Sequence, residues 1–164
     1  MAENMLIWEA VDNPEGKALQ WVSCGASDQV IGVATDNTVW QYMSEAWQNI
    51  SPSDATVKIK QASIGSDGDI WGVTTDNHIY HYSGGNWSQP NPSSRLTQVS
   101  VGSSDHIWGV NDDHNVYKRQ GSEWELASTK QFINISVAPD GTTCGIQPDK
   151  KTILVLSGSW QTLA

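Results

Sequence analysis

One unit of sequence is written four times along this 164-residue chain, and that self-similarity constrains the fold before any single element is assigned. The clearest copy is QVSVGSSDHIWGVNDDHNVYKRQGSEW, running from Gln98 to Trp124. LQWVSCGASDQVIGVATDNTVWQY begins at Leu19 and is followed by Trp47, and IKQASIGSDGDIWGVTTDNHIYHY begins at Ile59 and is followed by Trp87. FINISVAPDGTTCGIQPDKKTILV begins at Phe132 and is followed by Trp160. The glycine they share falls at Gly32, Gly72, Gly109 and Gly145, in steps of 40, 37 and 36 residues. A repeat of that length marks stacked supersecondary units, each too small to bury its own apolar face.

Inside the third unit the pattern is strand, turn, strand, turn, strand, turn, strand. Leu96 to Val101 alternates with period two, Gly102-Ser103-Ser104-Asp105 is a turn cluster, and His106–Val110 is a second strand. Asp112-Asp113-His114-Asn115 turns into a third strand at Val116–Arg119, and Gly121-Ser122 turns into a short fourth strand around Trp124. Helical periodicity is absent. Four short strands per unit predict an all-β chain, a β-propeller of about four four-stranded antiparallel blades. The units fall near 17–55, 56–93, 94–129 and 130–164, within a single domain spanning 1–164.

The positions constant between units have physical explanations. Ser23, Ser63, Ser100 and Ser136 lie late in the first strand, where a propeller axis is crowded and a small hydroxyl fits. Gly32, Gly72, Gly109 and Gly145 predict close backbone approach in the second strand. Asp36, Asp76, Asp113 and Asp149 open the second turn, where a carboxylate accepts from the backbone two residues on. Trp47, Trp87, Trp124 and Trp160 are expected to wedge between neighbouring blades.

These residues resemble the tectonin repeat of tectonin-type β-propeller lectins. QVSVGSSDHIWGV, then a strand with Val-Tyr, then Gly-x-x-Trp carries the likeness, which covers the chain from about Trp8 to its end. The first unit departs from it with Ile31 for the Trp of IWGV, and the fourth with Cys144 there and Ile153 in place of the aromatic. Proteins of this type usually carry about six repeats, whereas four are counted here. An extra outer-strand sequence, LIWEAV, precedes them, and residues 5–11 are read as a closing strand for a four-bladed ring. A ring completed by another copy, and a chain that is part of a longer one, are the alternatives; a monomer or small homo-oligomer follows.

Charge excludes one large class of partner. Acidic residues outnumber basic ones 18 to 9, and the cations are scattered, so nucleic acid is not an expected partner. No apolar run is long enough to span or insert into a bilayer, and the N-terminus has no basic n-region of a signal peptide. Cys24 and Cys144 form neither a metal-ligand spacing nor a disulfide framework. A cytoplasmic chain is the expectation, with release by a signal-independent route left open.

Enzyme signatures are poor, and no enzyme activity is expected. His78, His81, His106 and His114 share no repeated ligand spacing, so no metal is expected, and no cofactor motif occurs. Gly65-Ser66-Asp67-Gly68-Asp69 has the composition of a calcium loop without its length or terminal Glu, and is read as a hairpin turn. The repeated carboxylate is an Asp present in every unit, as a structural turn produces; a catalytic pair would be unique.

Binding fits better. Aromatic rings offer flat apolar faces to sugar C–H groups, loop Asn, Asp, Gln and Ser reach hydroxyls, and repetition multiplies weak sites into avidity. The resemblance implies a lectin for microbial or cell-surface glycans in defence or innate recognition, with O-methylated sugars among its family's targets. The candidate ligand contacts are Trp71 and Trp108 in second strands, with Tyr80, Tyr82 and Tyr117 in third strands. Beside them stand the turn residues Asp76, Asn77 and His78, and Asp113 and His114. The outward third-strand position varies (Gln41, His81, Lys118, Leu154), which leaves a non-enzymatic protein-interaction scaffold as the alternative function.

Overall fold

The computed structural model describes residues 10–157 and 159–162, with side chains through Leu156. Among the described residues sixteen strands form four separate antiparallel sheets. The first sheet is β1 (Leu19–Ala26), β2 (Gln29–Ala34), β3 (Val39–Met43) and β4 (Ala46–Asn49). The second is β5 (Ile59–Ile64), β6 (Ile70–Thr74), β7 (Ile79–Ser83) and β8 (Asn86–Ser88). The third is β9 (Gln98–Ser103), β10 (His106–Val110), β11 (Val116–Gln120) and β12 (Glu123–Leu126), and the fourth β13 (Asn134–Val137), β14 (Thr143–Ile146), β15 (Ile153–Ser157) and β16 (Ser159–Thr162). Each sheet pairs its strands in chain order, so each is one blade, and the protein is a four-blade β-propeller. Gly102 and Ser103 belong to β9 rather than to the turn after it.

The axis is built by a side chain passed from each blade to the next. The Ser63 hydroxyl accepts from the Val101 N–H at 3.0 Å, and the Ser100 hydroxyl from the Val137 N–H at 3.1 Å. Ser23 makes the looser version, 3.4 Å from the Ile64 N–H and 3.4 Å from the Ser63 hydroxyl. Gln61 doubles the link: its Nε2 donates to the Val99 carbonyl at 2.8 Å while its Oε1 accepts from the Val99 N–H at 3.0 Å. Gln98 does the same to Ile135, at 2.8 and 3.0 Å. These bonds satisfy the inner-strand groups that no neighbouring strand can reach.

Apolar side chains fill the joints. Ile31, Val33 and Val39 of the first blade share a cluster with Ile59, Ala62, Ile64 and Ile70 of the second. The next joint packs Trp71, Val73 and Ile79 on Val99, Val101 and Ile107, and the third packs Trp108, Val110 and Val116 on Phe132, Ile135 and Val137. Trp87 and Trp124 lie in these joints as the sequence predicts, and the Trp87 Nε1 donates to the Ile50 carbonyl of the preceding blade at 2.5 Å. The side chain of Trp160 and most of the closing strand 5–11 lie outside the described residues; Ala10 and Val11 are exposed and in no strand.

Three expectations about the constant positions change. The shared glycine makes room first for side chains and then for backbone: a Cβ on Gly72 would press on Trp87 and Ile59, and one on Gly109 or Gly145 would overlap Leu96 or Phe132 and crowd the Gln98 or Asn134 carbonyl at 3.0 Å. Asp36 and Asp149 do accept from the backbone two residues on, at 3.1 and 2.9 Å. In the middle blades neighbours take over: the Thr74 hydroxyl accepts from the His78 N–H at 2.9 Å and the Asn111 Oδ1 from the Asn115 N–H at 2.9 Å. The fourth blade's second turn is one residue longer, so Gly145 faces Leu154 where Gly109 faces Tyr117. Val155, not Leu154, therefore shares the place of Gln41, His81 and Lys118, and Leu154, not Ile153, replaces the aromatic.

The turn carboxylates make acid the sensitive direction. Asp36 is held below the usual aspartate range by the Lys17 ammonium, and Asp149, Asp54 and Asp76 by hydroxyls of Thr152, Thr56 and Thr74. Their folded-state values lie below the unfolded one of about 4, so the stabilisation is complete above that pH and fades as pH falls through the folded values. Urea midpoints are expected to be flat from pH 7 to about 5 and to fall progressively below about 4. A midpoint that rises on acidification would contradict this.

Candidate functional site

The same pocket occurs at two joints, one blade apart. In the third blade a cavity of about 240 Å³ is lined by Ser93, Ser94, Arg95, Leu96, Asn111, Tyr117 and Trp124. In the second a cavity of about 140 Å³ is lined by Thr56, Val57, Thr74, Asp76, His78, Tyr80 and Gln89. Register makes them equivalent. Tyr117 faces Gly109 as Tyr80 faces Gly72, and Asn111 and Thr74 each stand two residues past that glycine. Each floor is the aromatic of the third strand, and each wall is the loop that enters the blade's first strand.

The two differ through one indole. Trp87 gives its N–H to Ile50, and Trp47 likewise donates to the Asp12 carbonyl at 2.8 Å. The buried Nε1 of Trp124 has no acceptor, although Trp124 lines the larger pocket. Its ring stands edge-on to Trp71 at 5.9 Å, and the Arg119 guanidinium covers Trp71 at 4.5 Å. An unpaired buried donor costs roughly 1–3 kcal/mol, and this one is enclosed beside the larger pocket. Arg95 at its rim donates to the carbonyls of Pro92 and Ser94, at 2.5 and 2.9 Å.

The sequence-predicted contacts divide by burial. Trp71 and Trp108 are 2% and 5% exposed, so they are core residues. The Trp71 Nε1 donates to Asp69 at 2.7 Å, and its face stacks on His81 at 4.4 Å. Tyr80 and Tyr117 line the paired pockets, with Asp76 and His78 beside Tyr80. Burial pushes the Tyr80 hydroxyl above its usual pKa, keeping it a neutral donor. His78 hydrogen-bonds Gln89 and stands 3.4 Å from Asp76. Tyr82 lies elsewhere, tilted on Trp87 and lining a third hollow with Gln41, Asp67 and Ser104. Asn77 and His114 are turn residues with φ of 69° and 64°; Asn77 also accepts from Lys60 at 2.6 Å and donates to Asp112 at 2.8 Å. Asp113 is exposed on that turn and lines neither pocket.

Sequence reasoning missed the pocket walls, Ser93, Ser94, Arg95 and Asn111 in one blade and Thr56, Val57 and Gln89 in the other. Alignment by frame residues ends where the inter-blade loops begin, so the loop residues carried no repeat signal, and Asn111 stands at an aligned place whose residue type varies (Ala34, Thr74, Gln147). Among the described residues, no three His, Cys, Asp or Glu side chains converge to hold a metal, and both cysteines are unbridged. Asp67 accepts from the Asp69 and Ser104 N–H groups at 3.3 and 2.8 Å, so its loop is a hairpin turn bonded to the next blade. No helix among the described residues is long and apolar enough to cross a membrane.

Known proteins agree on the architecture. No curated protein matches the chain. Among solved structures, human WBSCR16 is similar at a TM-score of 0.67 and 11% identity, over 88% of this chain and 52% of that one. Virginiamycin B lyase from Staphylococcus aureus is similar at 0.62 and 13%, over 90% and 55%, and YCF48 from Cyanidioschyzon merolae at 0.59 and 15%, over 96% and 59%. The chain thus spans little more than half of each, and at these identities the likeness concerns the fold. The tectonin domain model matches residues 18–122 and again 96–164, and with its four repeated blades the chain belongs to the tectonin domain family.

Proposed function

We propose that this protein is a carbohydrate-binding propeller, a lectin that takes glycan residues in the paired pockets under Tyr80 and Tyr117 and carries out no chemistry on them. The observation behind this reading is the repetition of one pocket, with an aromatic floor and hydroxyl, amide and charged rims, at equivalent places in two blades. A sugar offers what such a pocket takes: C–H faces for the ring and hydroxyls or ether oxygens for the donors. Asp76 is the one carboxylate among the residues lining the two pockets, so neither holds a facing pair, which supports binding without hydrolysis.

A glycan array spanning methylated and unmethylated sugars tests this. Binding is expected, and Tyr117→Ala should weaken it about tenfold, with a smaller loss for Tyr80→Ala at the tighter pocket. A folded chain that binds no sugar on the array would overturn the reading. Partner capture that free sugar cannot displace would favour the scaffold function instead.

A further inference from the structure

Three of the four inner-strand faces are covered, and the first is not. Ile64 and Val101 of the second and third blades are 1% and 5% exposed under the blade before them. Cys24, their equivalent in the first blade, is exposed, and Val22 beside it is 62% exposed. The inner strands adjoin as β1 with β5, β5 with β9 and β9 with β13, while among the described residues β13 and β1 form no comparable junction. On that face only the inner end, Val22 and Cys24, is exposed; Val30, Tyr42 and Trp47 are half-buried, Trp40 is buried, and Asp12 meets the outer rim through Trp47. At the other end of the chain, Asn134 and Ser136 are exposed where Gln61 or Gln98, and Ser63 or Ser100, hold a following blade. The apolar Ile146, Ile153 and Val155 accompany them, each at least partly open to solvent.

We propose that a second copy of this chain covers the bare face, its fourth blade meeting this copy's first blade in the joint already repeated inside the chain. Ser136 of one copy would accept from the Cys24 N–H of the other, and Asn134 would reach the Val22 backbone, as Gln98 reaches Ile135. Two copies joined head to tail at both ends give a closed ring of eight blades, within the range that propellers adopt. One substitution tunes the joint. Gly25 and Gly102 leave no room for a Cβ, which would overlap the next blade's Gly65 or Ala138 carbonyl. The fourth blade has Ala138 at that place, so the joint between copies sits wider and is the weakest of the four.

The 164-residue chain itself is used for the test. Its solution mass should be twice that of one chain and fall to one chain on dilution. Val22→Arg should leave single chains at all concentrations, and Ala138→Gly should shift dissociation to several-fold lower concentration. A crosslink guards against misfolding of those variants. A Cβ built on Gly65 would stand 3.0 Å from a Val101 methyl, the place Cys24 takes in the first blade. With Cys144 changed to Ser, Ala138→Cys should therefore form a disulfide to Cys24 of another copy on mild oxidation. A covalent dimer lost again on Cys24→Ser supports the proposal. A disulfide within one chain, or single chains throughout with Cys24 freely alkylated, overturns it. Sugar binding does not enter these measurements.

Discussion

Phe132→Ala is expected to lower the unfolding free energy by about 3–5 kcal/mol, the usual range for removing a fully buried phenylalanine. Phe132 has no solvent exposure and packs among Trp108, Val110 and Val116 of the third blade and Ile135, Val137 and Leu154 of its own. Its ring fills the hollow left by Gly145, where a Cβ would overlap it. Leu19, Ile59 and Leu96 occupy the matching hollows at Gly32, Gly72 and Gly109. The backbone around Phe132 is held by its N–H donating to the His114 carbonyl at 2.8 Å, so the site collapses poorly and the cavity persists. Leu19→Ala should cost clearly less, because Leu19 is only half-buried at the first blade. Urea denaturation read by tryptophan fluorescence checks both. A loss below about 1 kcal/mol for Phe132→Ala would mean the ring is not a core residue.

Gln61→Ala should rank next, at about 2–4 kcal/mol, for a different reason. Gln61 is 4% exposed, and its amide satisfies both the N–H and the carbonyl of Val99 across the joint. Truncation removes two hydrogen bonds and leaves two buried backbone groups unpaired, and it is the second term that dominates. Gln98 makes the same pair of bonds to Ile135 from a half-buried position. Water can replace it there, so Gln98→Ala should cost about 1 kcal/mol. Hydrogen exchange separates the cases: the Val99 amide should lose protection in the first variant while the β10–β11 ladder keeps it. Equal costs for the two glutamines would show that burial does not decide the difference.

How much of this was legible in the sequence follows from which residues repeat. Blade count, strand order and the roles of Ser63, Ser100, Trp87 and Trp124 could be read because each recurs at the same place in a unit. The pockets were legible only by half. Tyr80 and Tyr117 belong to the repeat, whereas Arg95, Asn111 and Gln89 lie in or beside loops whose length differs between units. For Trp71 and Trp108 the sequence favours a core role over ligand contact without separating the two. Only burial separates those roles, since both need a large flat ring. The slip at Leu154 and Val155 has a local cause, one added residue in the turn after Asp149, which moves every later side chain to the opposite face.

By itself, the amino-acid sequence determined that this chain builds four small antiparallel sheets, because strand periodicity, turn residues and the 36–40-residue spacing are properties of neighbours along the chain. Tertiary structure alone decided what lies between the sheets. It set the serine and glutamine links across the joints, the unpaired indole of Trp124, and the exposure of Val22 and Cys24 on the first blade. These depend on residues some 37 to 41 positions apart coming within hydrogen-bonding distance, and a one-dimensional pattern carries no record of which joint is left open.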